Sequence, residues 1–424
     1  MVLRRIGLAV LFGVLVGPCL PVEVQAADWP QFLGPDRNAI APESPKLPRS
    51  WPAGGPRVLW KIPVGPGYGG AAVFGDSALI LDRENNAQDV LRRIRLADGQ
   101  EVWRRTDEAP GTLPHNGTRS TPATDGKTVY SIGPFGHICA ASFVDGTVLW
   151  QAKLLEDWGA KLPQWGVSQN PLLYGDSLIV APWGTKAAVV AYDKATGAVK
   201  WTTSNPGGVQ LDYSSPMPLT VAGAPMLAVS GKGAYTIGVD PATGSQLWKY
   251  DGYSVKISIP SPLHVGAGRI VLTGGYGAGG AMFKVSKDGD GFSTSEVWKS
   301  TKGIMSSKIP QPILYEGFLY GNSSDDKGGL RCIALDGQVK WETGNRPGFG
   351  MGNLILVDGL IFLLNGDDGT LVMAEANPNE YKELGRASFL SGPEVWGPLA
   401  YSNGKLILRD QKTLACLDLM AVGG

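Results

Sequence analysis

The chain is short of the residues that most often build reactive centres. It holds three histidines and four cysteines in 424 residues, and neither type is grouped. His115, His137 and His264 lie far apart, so no histidine pair has metal-ligand spacing. Cys139, Cys332 and Cys416 each stand alone, which leaves no adjacent pair and no Cys-x-x-Cys motif. Neither sign of charge dominates, with 38 basic and 38 acidic residues, and this excludes a basic face for nucleic acid. No serine sits in a G-x-S-x-G elbow. The glycine run from Gly274 to Gly280 lacks a phosphate-binding lysine and a following helical pattern, so it reads as a strand-to-strand loop. Asp288-Gly289-Asp290-Gly291 begins like a calcium loop, but its twelfth position is Lys299 instead of glutamate, and a solvated hairpin is the better reading. Beyond the first twenty or so residues no apolar run is long enough to span a bilayer.

What is present begins with an export signal. Arg4 and Arg5 precede the apolar stretch Ile6 to Gly17, and Val24-Gln25-Ala26 offers small residues for cleavage. A signal peptide over residues 1–26 is therefore expected, followed by an extension over 27–57 and one domain over 58–424. The mature protein is expected to be exported, periplasmic or otherwise extracytoplasmic, soluble and monomeric.

Glycine and proline are abundant, at 59 and 31, as in all-β chains with many tight turns. A tryptophan closes one strand-like run after another at 60, 103, 150, 201, 248, 298 and 341, every 43 to 51 residues, and Phe389 falls in the next place. Gly99, Gly146, Gly197, Gly244 and Gly337 stand four residues before five of these tryptophans, in hairpin-turn dipeptides. A second ladder opens each unit: Thr121-Pro122, Asn170-Pro171, Ser215-Pro216, Ser261-Pro262, Gln311-Pro312 and Gly397-Pro398, with Gly70-Ala71 and Gly352-Asn353 in the remaining places. Each unit reads as four short antiparallel strands, one blade of a propeller, and both ladders count eight. The last unit lacks its fourth strand, while Val58-Leu59-Trp60 is a fourth strand without a blade. Pairing the two closes the ring. Trp60, Trp103, Trp150, Trp201, Trp248, Trp298 and Trp341 are read as structural wedges between blades.

The run Ala191-Tyr192-Asp193-Lys194-Ala195-Thr196-Gly197-Ala198-Val199-Lys200-Trp201 matches the signature A-x-D-x-x-T-G-x-x-x-W at every fixed position, and Gly238 to Trp248 matches with glycine in place of the first alanine. The chain thus resembles the bacterial pyrroloquinoline-quinone-like (PQQ-like) β-propeller proteins. These include quinoprotein dehydrogenases and the propeller lipoprotein of the outer-membrane β-barrel assembly machine. Asp28-Trp29-Pro30-Gln31-Phe32-Leu33-Gly34-Pro35, Trp165-Gly166 and Leu408-Arg409-Asp410-Gln411 resemble an exported subgroup of that family.

The resemblance implies an eight-bladed fold and leaves two function classes open. One is a non-catalytic binding or scaffold propeller of the cell envelope, holding a protein partner or a small polar ligand. The other is a PQQ-dependent dehydrogenase for alcohols or sugars, which needs Ca2+, a stacking surface and a carboxylate base. The adjacent-cysteine disulfide and haem motif of such enzymes are missing, so no catalytic or metal residues are assigned and no cofactor is expected. Residues just before the innermost strands should line the funnel of the channel, and these include Arg119, Trp165, Gln169, Asp212, Tyr213, Ser258, Lys308 and Trp396. His115, in a polar loop, reads as a solvated side chain.

Overall fold

The computed structural model describes residues 28–42, 44–300, 304–325, 329–344 and 348–421; the expected signal peptide lies outside them. Thirty-two strands form eight four-stranded antiparallel sheets. Blades 1 to 7 are consecutive meanders over residues 72–108, 123–153, 172–203, 217–250, 263–300, 313–342 and 354–388. Blade 8 takes three strands from residues 400–418, and its outermost strand is Arg57–Pro63. Trp60 pairs with Cys416 there, as the repeat arithmetic requires.

The tryptophan ladder and the glycine ladder are one device. Trp60, Trp103, Trp150, Trp201, Trp298 and Trp341 each donate their indole N–H to a backbone carbonyl of the following blade's turn segment, at 2.7 to 3.1 Å. Four of the rings lie on the turn glycine of that next blade. A Cβ on Gly99, Gly146, Gly197 or Gly244 would stand 2.5 to 2.9 Å from the ring of Trp60, Trp103, Trp150 or Trp201. These glycines also have φ near +75°, so both the backbone and the wedge exclude a side chain there. In all eight blades the register between the third and outermost strands slips by one residue, and in seven the slip falls immediately before the tryptophan. Such a bulge turns the outer strand and throws the preceding residue outward, which is why Val102, Leu149 and Val297 are exposed.

Two blades depart from this pattern. Trp248 still packs between blades, meeting Phe283 of blade 5 edge-on at 5.6 Å, but its N–H points at Met226 Sδ of its own blade, and its ring covers Gly238, where a Cβ would stand 2.0 Å away. The glycine that breaks the repeat signature is the cause, because it frees the space on the third strand. In blade 7 the tryptophan's register position belongs to Gly385, opposite Met373, while Phe389 lies just past the strand's end. Trp51, from the segment before blade 8's outer strand, covers Gly385 and stacks at 6.2 Å on Phe362, so the ring that blade 7 lacks comes from elsewhere in the chain.

Residues 28–41 occupy the channel itself. Trp29, only 2 % exposed, forms an antiparallel bridge with Val73 of blade 1's innermost strand, and Ile40 a parallel bridge with Leu356 of blade 7's. Between them Thr124 N donates to Pro30 O, and the buried Arg37 donates through Nη1 to Pro171 O. Burial lowers the Arg37 guanidinium to about 9. Leu33, Arg37 and Ala39 all take positive φ, a cost of roughly 1 kcal/mol each that the packing of the plug offsets.

Cys139, Cys332 and Cys416 are free and buried on the third strands of blades 2, 6 and 8. No described helix is long and apolar enough to cross a membrane.

Candidate functional site

Above the plug the channel opens into a cavity of about 220 Å³, with Phe32 of the plug among its lining residues. The lining follows a simple rule set by extended backbone, in which alternate side chains face alternate ways. In six blades the residue two before the ladder position faces the cavity: Tyr68, Arg119, Ser168, Tyr213, Ile259 and Ile309. In blades 7 and 8 the lining pair shifts by one, to Met351 and Asn353 and to Trp396 and Pro398.

The ladder residues form a belt beneath this layer. Gly70 N donates to Thr121 Oγ1, Thr121 N to Asn170 Oδ1, Asn170 N to Ser215 Oγ, Ser215 N to Ser261 Oγ and Ser261 N to Gln311 Oε1, at 2.6 to 3.0 Å. Each bond runs from one blade to the next, so the belt ties blades 1 to 6 around the channel. A polar residue before proline serves both ends of this arrangement, since proline fixes the extended turn into the strand and the preceding side chain reaches the neighbour.

Parity explains which expected site residues lie in the cavity. Arg119, Trp165, Tyr213 and Trp396 line it. Gln169, Asp212, Ser258 and Lys308 do not. Gln169 is fully buried and turned to its own blade, where Nε2 donates to Ala181 O and Oε1 accepts Ala181 N. Asp212 lies behind the wall and accepts Ser258 N at 2.5 Å, while its Oδ1 has no protein partner. Burial raises its carboxyl to about 7. Lys308 stands at the rim, paired at 3.4 Å with Asp325 and 5.4 Å from the Tyr276 ring centre.

Two aromatic walls define the space. On one side Trp165 packs on Tyr213 at 5.3 Å and on Tyr276 at 6.4 Å. On the other Tyr68 stacks on Trp396 at 5.4 Å, and the His115 ring meets Trp396 at 5.4 Å. Arg119 sits against the second wall, 5.5 Å from the Tyr68 ring centre. Its guanidinium donates to the carbonyls of Pro114, His115 and Gly117, and burial lowers it to about 10. It has no carboxylate partner among the described residues. Glu394 closes this wall from outside, accepting the Tyr68 hydroxyl at 2.5 Å and facing His115 Nδ1 at 2.7 Å. Burial and the Glu394 carboxylate both raise the Tyr68 hydroxyl, which keeps its proton.

Tyr68, His115 and Tyr276 escape the sequence reading. Tyr68 was discoverable, because it stands two residues before Gly70 as Tyr213 stands two before Ser215. His115 is exposed, as expected of a loop residue, yet its ring forms part of the cavity wall. No Asp or Glu side chain lines the cavity among the described residues, and two of its three amide side chains, Asn170 and Gln311, spend their oxygens on the belt.

No curated protein matches the sequence significantly. Among solved structures, the quinohemoprotein alcohol dehydrogenase from Comamonas testosteroni superposes with a TM-score of 0.63 at 11% identity, over 94% of this chain and 81% of that one. BamB from Moraxella catarrhalis gives 0.58 at 15% identity, over 85% of this chain and 96% of that one. A computationally designed protein, Ika8, gives 0.54 at 10% identity, over 90% and 99%. These likenesses show a shared propeller fold. The family model described as outer membrane protein assembly factor BamB matches residues 86–343, more than half of the sequence, and the chain belongs to that family.

Proposed function

We propose that this chain is a non-catalytic binding propeller of the cell envelope that holds a ligand, or a segment of a protein partner, in the aromatic cavity above the plug. One observation carries the reading: the cavity offers two aromatic walls and an arginine without a carboxylate partner, but no carboxylate of its own. Stacking surfaces and a desolvated cation are what a planar or anionic group needs for binding. A quinone dehydrogenase needs more. Its Ca2+ takes carboxylate and amide oxygens, and a carboxylate must accept the alcohol proton. The donor set here does not fit that group, because Asn170 and Gln311 are committed and Asp212 lies behind the wall. Membership in the BamB family is consistent with a scaffold role in outer-membrane assembly and an exported, extracytoplasmic location.

The test is direct. The protein is incubated with pyrroloquinoline quinone and Ca2+ and offered alcohols, polyols and sugars with an artificial electron acceptor, while a parallel sample is screened for ligands by tryptophan fluorescence. Ligand-dependent quenching that is lost in Trp165→Ala, without dye reduction, is the expected outcome. Stoichiometric quinone uptake with substrate-dependent dye reduction overturns the reading.

A further inference from the structure

The wall formed by Tyr68, His115 and Trp396 contains more than a stacking surface. His115 Nδ1 lies 2.7 Å from Glu394 Oε1, and the same carboxylate accepts the Tyr68 hydroxyl through Oε2. A carboxylate oxygen only accepts, so the contact places the imidazole proton on Nδ1 and leaves Nε2 with its lone pair. Nε2 has no hydrogen-bond partner in the described structure, on a ring that forms part of the cavity wall. Arg119 adjoins this group through its bond to the His115 carbonyl. The titratable and charged groups around the ring are therefore Glu394, Tyr68 and Arg119.

We propose that His115 and Glu394 form a proton-accepting dyad for a planar phenolic or enolic ligand stacked between the two aromatic walls. This rests on the cavity being a ligand site. The ligand's O–H bond breaks and its proton forms a new N–H bond at His115 Nε2. The electron pair stays on the ligand oxygen as an anion, and Nδ1–H remains donated to Glu394. The products are a bound phenolate or enolate and an imidazolium. Glu394 compensates the new positive charge, and the Arg119 guanidinium adjoins the new negative one. Orientation of a histidine by a carboxylate is the general means of fixing one nitrogen as donor and freeing the other as base. The aromatic walls supply affinity and the dyad supplies selectivity for an ionisable hydroxyl.

The probe is 4-nitrophenol, whose neutral and ionised forms differ in colour, with its methyl ether 4-nitroanisole as the analogue that cannot ionise. At a pH where free 4-nitrophenol is mostly neutral, the bound probe should be ionised about tenfold or more over the free one, the worth of a charge-assisted hydrogen bond. His115→Gln and Glu394→Gln should each abolish that colour change while retaining affinity for 4-nitroanisole, and Trp165→Ala should weaken both ligands. Binding of both compounds without ionisation, or ionisation unchanged in His115→Gln, overturns the dyad and leaves the cavity as a binding site. Failure of either compound to bind overturns the dyad too, and the broader ligand screen then decides the cavity. Glu394→Gln guards against a folding defect in His115→Gln, since the carboxylate lies outside the cavity and its amide keeps an acceptor for Tyr68.

Discussion

Replacing Gly197 by alanine tests whether the turn glycine and the tryptophan wedge are one interaction. Gly197 sits at φ +73°, and a Cβ there would stand 2.7 Å from Trp150 Cδ2 and 2.8 Å from Cε3. The backbone alone costs an alanine roughly 1–2 kcal/mol in this left-handed region. The ring cannot simply move aside, because Trp150 Nε1 is fixed by its 2.8 Å bond to Lys194 O. Overpacking of this kind adds about 1–3 kcal/mol, for a total of about 2–5 kcal/mol. Gly223 is the control: its φ is +80° and nothing lies within 4 Å of its Cβ position, so alanine there carries the backbone cost only. Guanidinium-unfolding midpoints of the two variants give the difference, provided the slopes agree. A Trp150→Ala background should then remove most of the excess cost of Gly197→Ala, as a less-than-additive loss in a double-mutant cycle. Equal destabilisation at Gly197 and Gly223, or no coupling to Trp150, would refute the wedge.

Three further outcomes follow from particular residues. Gly238→Ala should destabilise by about 1–3 kcal/mol, through Trp248 alone, since its cost is overpacking and φ is ordinary there; the tryptophan fluorescence of the folded state should shift with it. Burial raises the thiols of Cys139 and Cys332 to about 11 and of Cys416 to about 12, so all three should resist a thiol reagent at pH 8 in the native protein and react after denaturation without reductant. The Asp212 carboxyl is raised to about 7 from an unfolded value near 4, so its contribution to stability is full below about pH 4 and lost as pH rises through about 7. Asp212→Asn keeps an acceptor for Ser258 N and should therefore stabilise the protein at pH 8 and not at pH 4; thermal unfolding at the two values reads this, and an equal effect at both contradicts it.

The architecture was legible because its signals repeat. Each Trp and each X-Pro pair reports the same local geometry many times, so a misread unit such as Phe389 leaves the count intact. Trp51 could not be anticipated, since nothing local says that a ring from the extension fills the place of Gly385. The cavity was half legible for a different reason. Its position follows from the second ladder, but nearness to the ladder alone does not say which way a side chain faces, and extended backbone turns Gln169, Asp212 and Lys308 away from the cavity. His115 and Tyr276 come from irregular loops that occur once each, and their partners, Glu394 and Trp165, lie hundreds or a hundred residues away in sequence. Contact between such residues is a property of the closed ring, not of any segment.

The closing strand has a consequence for kinetics. Trp60 and Cys416 are about 350 residues apart in sequence, whereas each other blade pairs strands within roughly 45. Loop-closure entropy grows by about 0.6 kcal/mol per doubling of length, which makes this junction about 2 kcal/mol more costly to form than any single meander. The ring therefore has one seam, the last junction to zip and the first to part. Residues 28–41 must already lie in the channel when it shuts, or wait for it to reopen. Proteolytic lifetime and refolding time should both be set at that seam, by how often one strand lets go.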